Sequence, residues 1–268
     1  MKTYSSDKFP YLNKTEALEI LSTPARDLKI SSDYYKAVFC LEKFPGEDTE
    51  NALLGLIQIV SNDTSIKIAK RKAIEVLAKL KCEKAIPTIF NCLESSDEYI
   101  VENAVLALKD LKPNDPLFHN LIISLLDKPQ QNKRVLIQAL AQLNITKASK
   151  KIKSIINDKN NSISIRGAAI SAIRKLENDN QYISELEKIL YSDNQNNRQS
   201  AIEDVINSGS IELIPSVANS PVSPFFRLRA IDSLWPDNQL KIDNINLLQL
   251  LDTLIKDEPK DVNIIHLY

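Results

Sequence analysis

The sequence predicts an all-α fold, an α-solenoid of about six to seven stacked two-helix repeats. Three observations carry this. One pattern of small and apolar residues recurs every 29 to 36 residues along the chain. Inside each recurrence the apolar residues stand at positions 0, +1, +4 and +7, one face of an α-helix. Between recurrences lie further helical stretches and clusters of Asp, Asn and Ser, with no convincing strand alternation.

Taken in order, residues 1–30 read as an N-terminal cap with a helix from Glu16 to Leu21. The repeat anchors are Ala37, Ala73, Ala104, Leu136, Ala169, Ala201 and Ala230, which place the solenoid over 31–238. Intervening helices are expected at Glu50 to Val60, Ala85 to Leu93, Leu117 to Leu126, Ala148 to Ile156 and Ile183 to Leu190. Pro87 and Pro215 stand near helix starts, where a missing N–H costs little. Ser95-Ser96-Asp97 and Ser192-Asp193-Asn194 suit turns and N-caps. Residues 239–268 read as a C-terminal capping helix and tail, rich in Leu and Ile. A lone two-helix unit cannot bury its apolar stripe, so neighbours must stack. The period and the pattern resemble short HEAT repeats.

Composition removes several function classes. Lys plus Arg number 34 and Asp plus Glu 35, a net charge of −1 that argues against nucleic acid as partner. Four scattered glycines cannot form a phosphate-cradling loop. Two histidines (His119, His266) and three cysteines (Cys40, Cys82, Cys92) make a zinc cluster unexpected, so no metal site is predicted. The cysteines lie in helical apolar pattern and read as inert packing residues of a reducing compartment. The first residues lack a signal-peptide core, and no apolar run is long enough to span or anchor in a membrane.

Asp33-Tyr34-Tyr35-Lys36-Ala37-Val38-Phe39-Cys40-Leu41-Glu42-Lys43-Phe44 resembles the Tyr-Tyr-x-Ala-Trp-Trp-x-Gly-x-Phe motif of the E/F-type phycobilin lyases. Lys70 through Leu80 is similar to that family's second motif, and Ala85-Ile86-Pro87 follows as its next helix would. Arg227 through Trp235 is similar to its Leu-Arg-Asp-Leu-Trp ending. The resemblance covers about residues 30–240. The family's Trp pair is Val38-Phe39 here, and its glycine is Glu42.

The resemblance implies a lyase that attaches a linear tetrapyrrole, a phycobilin, to a cysteine of a phycobiliprotein α or β subunit through a thioether. It implies an F-type lyase subunit as a possible partner, the bilin as substrate with no separate cofactor, and a cyanobacterial cytoplasm or plastid stroma. The attacking thiol belongs to the client, so the lyase itself works by positioning. Within each repeat, positions −2 and +2 face the groove. Tyr35 and Phe39 could stack on the bilin beside Tyr34 and Trp235. Arg71 and Arg134 could pair with its propionates, and Glu75 and Glu102 could accept its pyrrole N–H groups as catalytic residues.

Each of these has a structural alternative. Tyr34 and Tyr35 also suit the first repeat's core, Trp235 a closing core position, and Arg71 and Arg134 a solvated or laddered groove. Position −3 (Lys70, Val101, Lys133, Arg166, Arg198, Arg227) reads as an inter-repeat ladder against turn aspartates such as Asp97 and Asp193. His119 reads as a helix-surface residue and His266 as part of the chain end. A non-catalytic phycobiliprotein-binding chaperone or adaptor of the same family is the alternative function. A DNA-repair scaffold and an unrelated docking solenoid are further readings, the former opposed by the charge balance and the single Trp.

Overall fold

The computed structural model describes residues 12–24, 33–111, 115–235, 241–242 and 245–256. Among them stand fifteen α-helices: α1 (Lys14–Ser22), α2 (Asp33–Leu41), α3 (Glu47–Gln58), α4 (Thr64–Lys79), α5 (Ile86–Asn91), α6 (Glu98–Leu111), α7 (Pro116–Leu125), α8 (Lys133–Gln142), α9 (Ser149–Asn157), α10 (Ile163–Glu177), α11 (Ile183–Ile189), α12 (Gln195–Ser208), α13 (Ile214–Asn219), α14 (Pro224–Leu234) and α15 (Leu247–Lys256). The two-residue strands β1 (Lys241–Ile242) and β2 (Ile245–Asn246) pair antiparallel. The fold is an all-α solenoid.

The seven anchors fall one each on α2, α4, α6, α8, α10, α12 and α14, so odd and even helices alternate as the two members of each repeat. All seven anchors are buried. Six of the seven are alanines, whose small side chains let successive helices approach closely, while Leu41, Ile74, Leu77 and Leu108 fill the space between. Each of these four is fully buried and contributes about 1.5–3 kcal/mol.

The chain divides into two compact units, Met1–Ala139 and Leu140–Tyr268. In the first, α1 packs on α2 and α3, α2 and α3 on α4, and α4 and α5 on α6. In the second, α9 packs on α10, α10 and α11 on α12, α12 and α13 on α14, and α13 and α14 on α15. The expected boundaries at 30/31 and 238/239 fall in 25–32 and 236–240, outside the described residues.

Helix ends follow local chemistry. Asn13 makes a capping box on α1, and Asp63, Asp115, Ser162 and Asn194 cap α4, α7, α10 and α12 through their side chains. Asp97 does the same ahead of α6, accepting from the Tyr99 and Ile100 N–H groups at 3.1 Å. Several even helices close on a left-handed residue: Lys81, Asn144, Asn178 and Gly209. After α4 the Cys82 N–H reaches the Leu77 carbonyl and the Lys81 N–H reaches Ala78, a Schellman pairing that Ile145 and Asn144 repeat after α8.

Two expected helices differ in extent. Residues Ala85 to Leu93 contain α5 between two short 3₁₀ turns, Glu83–Ala85 and Cys92–Glu94, with Pro87 in its first turn. Helix α3 stops at Gln58, where Ile59 turns to extended backbone, and Val60 beyond it is 99% exposed.

Candidate functional site

Six of the eight residues singled out from the sequence by name as bilin-binding or catalytic lie on exposed or half-buried faces of the first unit: Tyr35, Phe39, Arg71, Glu75, Glu102 and Arg134. Tyr34 does not join them. It is 1% exposed, and its hydroxyl donates to the Thr23 carbonyl at 2.6 Å, so its ring closes the core between α2 and the end of α1. The next residue in sequence, Tyr35, is half-buried, as is Phe39 one turn on.

A charge network adjoins Phe39. Lys72 Nζ lies 5.6 Å from the Phe39 ring centroid. The same ammonium pairs with Glu42 at 3.0 Å and Glu75 at 2.9 Å. Lys79 pairs with Glu42 at 2.8 Å and Glu75 at 2.7 Å. Burial by itself would push both carboxyls up, but the hydrogen bonds from Lys79 and Lys72 outweigh it, and both are held below the usual carboxylate range. Hydrogen bonds from Glu42 and then Glu75 hold the Lys79 ammonium well above its ordinary range. Glu75 is therefore an ionised acceptor. Sequence reading did not single out Lys72, Lys79 or Glu42 as site members. The Lys72, Glu75 and Lys79 spacing of three and four on one helix was the available signal.

Arg71 is engaged across repeats. Its Nη2 donates to both Asp97 carboxylate oxygens at 2.9 Å, and its guanidinium lies 4.6 Å from the Tyr99 ring centroid. Burial would raise the Asp97 carboxyl, but hydrogen bonds from Arg71 and the Ile100 N–H bring it below its ordinary value. Arg71 thus fastens α4 to the start of α6. Glu102 is half-buried on α6, with Asn132 Nδ2 at 3.5 Å from its carboxylate. Arg134 is half-buried in the first turn of α8. Trp235 belongs to the second unit, where it ends α14 half-buried with its N–H on the Ile231 carbonyl at 2.8 Å.

The basic column at position −3 uses different partners from those expected. Arg166 Nε donates to the Ile156 carbonyl at 3.0 Å and its guanidinium pairs with Glu185. Arg198 reaches the Ser192 and Asp193 carbonyls at 2.8 and 3.0 Å, and Arg227 the Ala218 carbonyl at 2.7 Å. Ile156 and Ala218 lie in the last turns of α9 and α13, where carbonyls lack intrahelical donors, and Ser192 and Asp193 lie in the turn between α11 and α12. Asp193 contributes its backbone carbonyl to Arg198, and Asp97 takes its cation from Arg71 at position −2.

Cys82 is buried and Cys40 and Cys92 are half-buried; burial pushes all three thiols up. His119 is half-buried, and its ring lies 6.0 Å from that of Phe118. His266 lies outside the described residues. Among the described residues, no three or more His, Cys, Asp or Glu are grouped to hold a metal, and no helix is long and apolar enough to cross a membrane.

The family described as HEAT repeats matches residues 53–129. Over 238 residues, 88% of this chain, the sequence is 37% identical to the bilin biosynthesis protein CpeY of Synechococcus sp. (strain WH8020). The chain spans 56% of the length of that relative. It is 26% identical over 94% of its length to the phycocyanobilin lyase subunit alpha of Nostoc sp. (strain PCC 7120), of which it covers 99%. The fold is similar to a chain in the structure of the complex of CpcE and CpcF of phycocyanin lyase from Nostoc sp. PCC7120, with a TM-score of 0.71, 24% identity, and coverage of 95% of this chain and 98% of that one.

Proposed function

We propose that the chain is a HEAT-repeat protein of the E/F-type phycobilin lyase kind and that it attaches a linear tetrapyrrole to a phycobiliprotein cysteine. The observation that carries this reading is the 37% identity to CpeY, a protein named for bilin biosynthesis, across 88% of this chain. The client thiol adds across the bilin's ethylidene C=C bond. A C–S bond forms, the S–H bond breaks, and the proton passes to the tetrapyrrole. Nothing leaves, no electrons are exchanged, and the bilin is substrate with no separate cofactor.

The chain's part is to hold and orient. Tyr35 and Phe39 offer half-exposed aromatic faces for the tetrapyrrole. Glu75, ionised by its two lysines, accepts a pyrrole N–H and favours the electrophilic cationic bilin; Glu102 is the second such acceptor. Arg134 faces a propionate. Arg71, engaged by Asp97, is a positioning residue that keeps α4 and α6 in register. An F-type lyase subunit is the proposed partner, a phycobiliprotein α or β subunit the client, and a cyanobacterial cytoplasm or plastid stroma the compartment.

A non-catalytic adaptor for phycobiliproteins is the second reading. It is favoured by Val38-Phe39 standing at the family's Trp pair and by the commitment of Arg71 to Asp97. Co-expression with a bilin-making pathway and candidate client subunits, with and without an F-type subunit, separates the two. A zinc-fluorescent client band on a denaturing gel that requires this chain supports the lyase. A stable client complex with no coloured band for any client supports the adaptor.

A further inference from the structure

Within the first unit a cavity of about 540 Å³ opens between the α3–α4 loop, the first turns of α4 and the turn before α6. Lys67 and Lys70, three residues apart on α4, both line it, with Ile74 and Ile100 supplying apolar wall. Asp97 lines it too; Arg71 makes its hydrogen-bonded ion pair, and Lys67 adds only a smaller through-space attraction. Among the described residues neither Lys67 nor Lys70 has an ion-pair partner within 4.0 Å. Burial pulls the Lys70 ammonium below its ordinary value.

The cavity has a structural cause. Lys70 occupies position −3 of its repeat, where Arg166, Arg198 and Arg227 reach backbone carbonyls at or just beyond the end of the preceding helix. The guanidinium that spans this gap in those repeats is missing here. A shorter ammonium stands in its place and leaves space beside it. We infer that this cavity is a carboxylate-binding site, taking a molecule with an apolar body and one or two carboxylates that pair with Lys67 and Lys70.

A carboxylate fits better than a phosphate dianion. The Asp97 carboxylate in the wall opposes a concentrated double charge. The isoleucine wall asks for hydrocarbon beside the anion. A bilin propionate and a small free dicarboxylate share this chemistry, and the site does not depend on the lyase reading.

The test uses the whole chain with three probes: biliverdin, its dimethyl ester, and succinate. Affinity is read by titration calorimetry for wild type, K67M and K70R. K70R keeps the charge but supplies the guanidinium that fills the gap, so it should fold with unchanged circular dichroism and still bind at least about ten-fold more weakly. If the site takes a propionate, biliverdin binds wild type at least about ten-fold more tightly than the ester, and both variants erase that difference. If it takes a small carboxylate, succinate binds wild type and neither variant, while biliverdin affinity does not change. Equal affinity of wild type, K67M and K70R for both biliverdin and succinate, or no binding of either acid to wild type, overturns the assignment. The lyase reading fails separately, by absence of client labelling in wild type.

Discussion

Replacing Tyr34 by Phe separates a packing residue from a bilin contact. The ring is 1% exposed, so Phe refills the same space and no cavity forms. What is lost is the 2.6 Å hydrogen bond from the hydroxyl to the Thr23 carbonyl. Thr23 is only half-buried, so water can replace that donor, and the net cost is that of an ordinary hydrogen bond, about 1 kcal/mol. With a urea slope of about 2–3 kcal/mol per molar, the midpoint falls by about 0.3–0.5 M. Two compact units need not unfold together, so the affected transition is that of the unit containing α1 and α2. Bilin attachment to the client should stay within about two-fold of wild type, because the Tyr34 hydroxyl faces the backbone of the chain itself. An unchanged midpoint with a ten-fold or greater fall in attachment rate would refute this reasoning and return Tyr34 to the bilin site.

Arg227→Ala removes a buried charge-assisted bond to the Ala218 carbonyl and the packing of a side chain on a 2%-exposed residue. It should destabilise the second unit by about 2–4 kcal/mol in urea unfolding; a loss below about 0.5 kcal/mol would contradict the ladder role. Lys72→Met tests the Glu42–Lys72–Glu75–Lys79 network. Glu42 and Glu75 have lowered folded-state values, so the network's stabilisation is present above the ordinary carboxylate range and is lost as pH falls through those lower values. The difference between wild type and K72M should therefore be greatest near neutrality, shrink in acid, and shrink in high salt; a difference that grows in acid would rule out ion pairing. Because burial raises all three thiols, the native chain should react with iodoacetamide more slowly than after denaturation at the same pH, and rapid native labelling of Cys82 would show its helix end to be open.

Much of the fold was legible because one physical rule repeats. Ala37, Ala73, Ala104, Leu136, Ala169, Ala201 and Ala230 each mark the buried side of one helix, and that periodicity survives every local irregularity. The 3₁₀ turns around α5 were not legible, since apolar spacing persists through Cys92 and Leu93 while the hydrogen-bond pattern changes. Face assignment placed Phe39, Glu75 and Glu102 on accessible surface, yet it could not say which charges meet across repeats. Arg71 finds Asp97, 26 residues on, and Lys79 finds Glu42, 37 residues back. Such partners depend on how neighbouring repeats stack, which a single helix's pattern does not contain. The −3 arginines were legible as a ladder, but their carbonyl acceptors carry no side-chain signal in a sequence. The gap beside Lys70 appears only when its length is set against Arg166, Arg198 and Arg227 at the same position of three later repeats.

The most direct measurement is peptide mass spectrometry of a client phycobiliprotein subunit after incubation with bilin, with and without this chain and an F-type subunit. The account predicts that the client cysteine peptide gains the full mass of one bilin as a thioether. Formation should be at least about ten-fold faster when this chain is present than in the spontaneous reaction. Equal rates of thioether formation with and without the chain, for every client that it binds, would contradict the claim that it is a lyase.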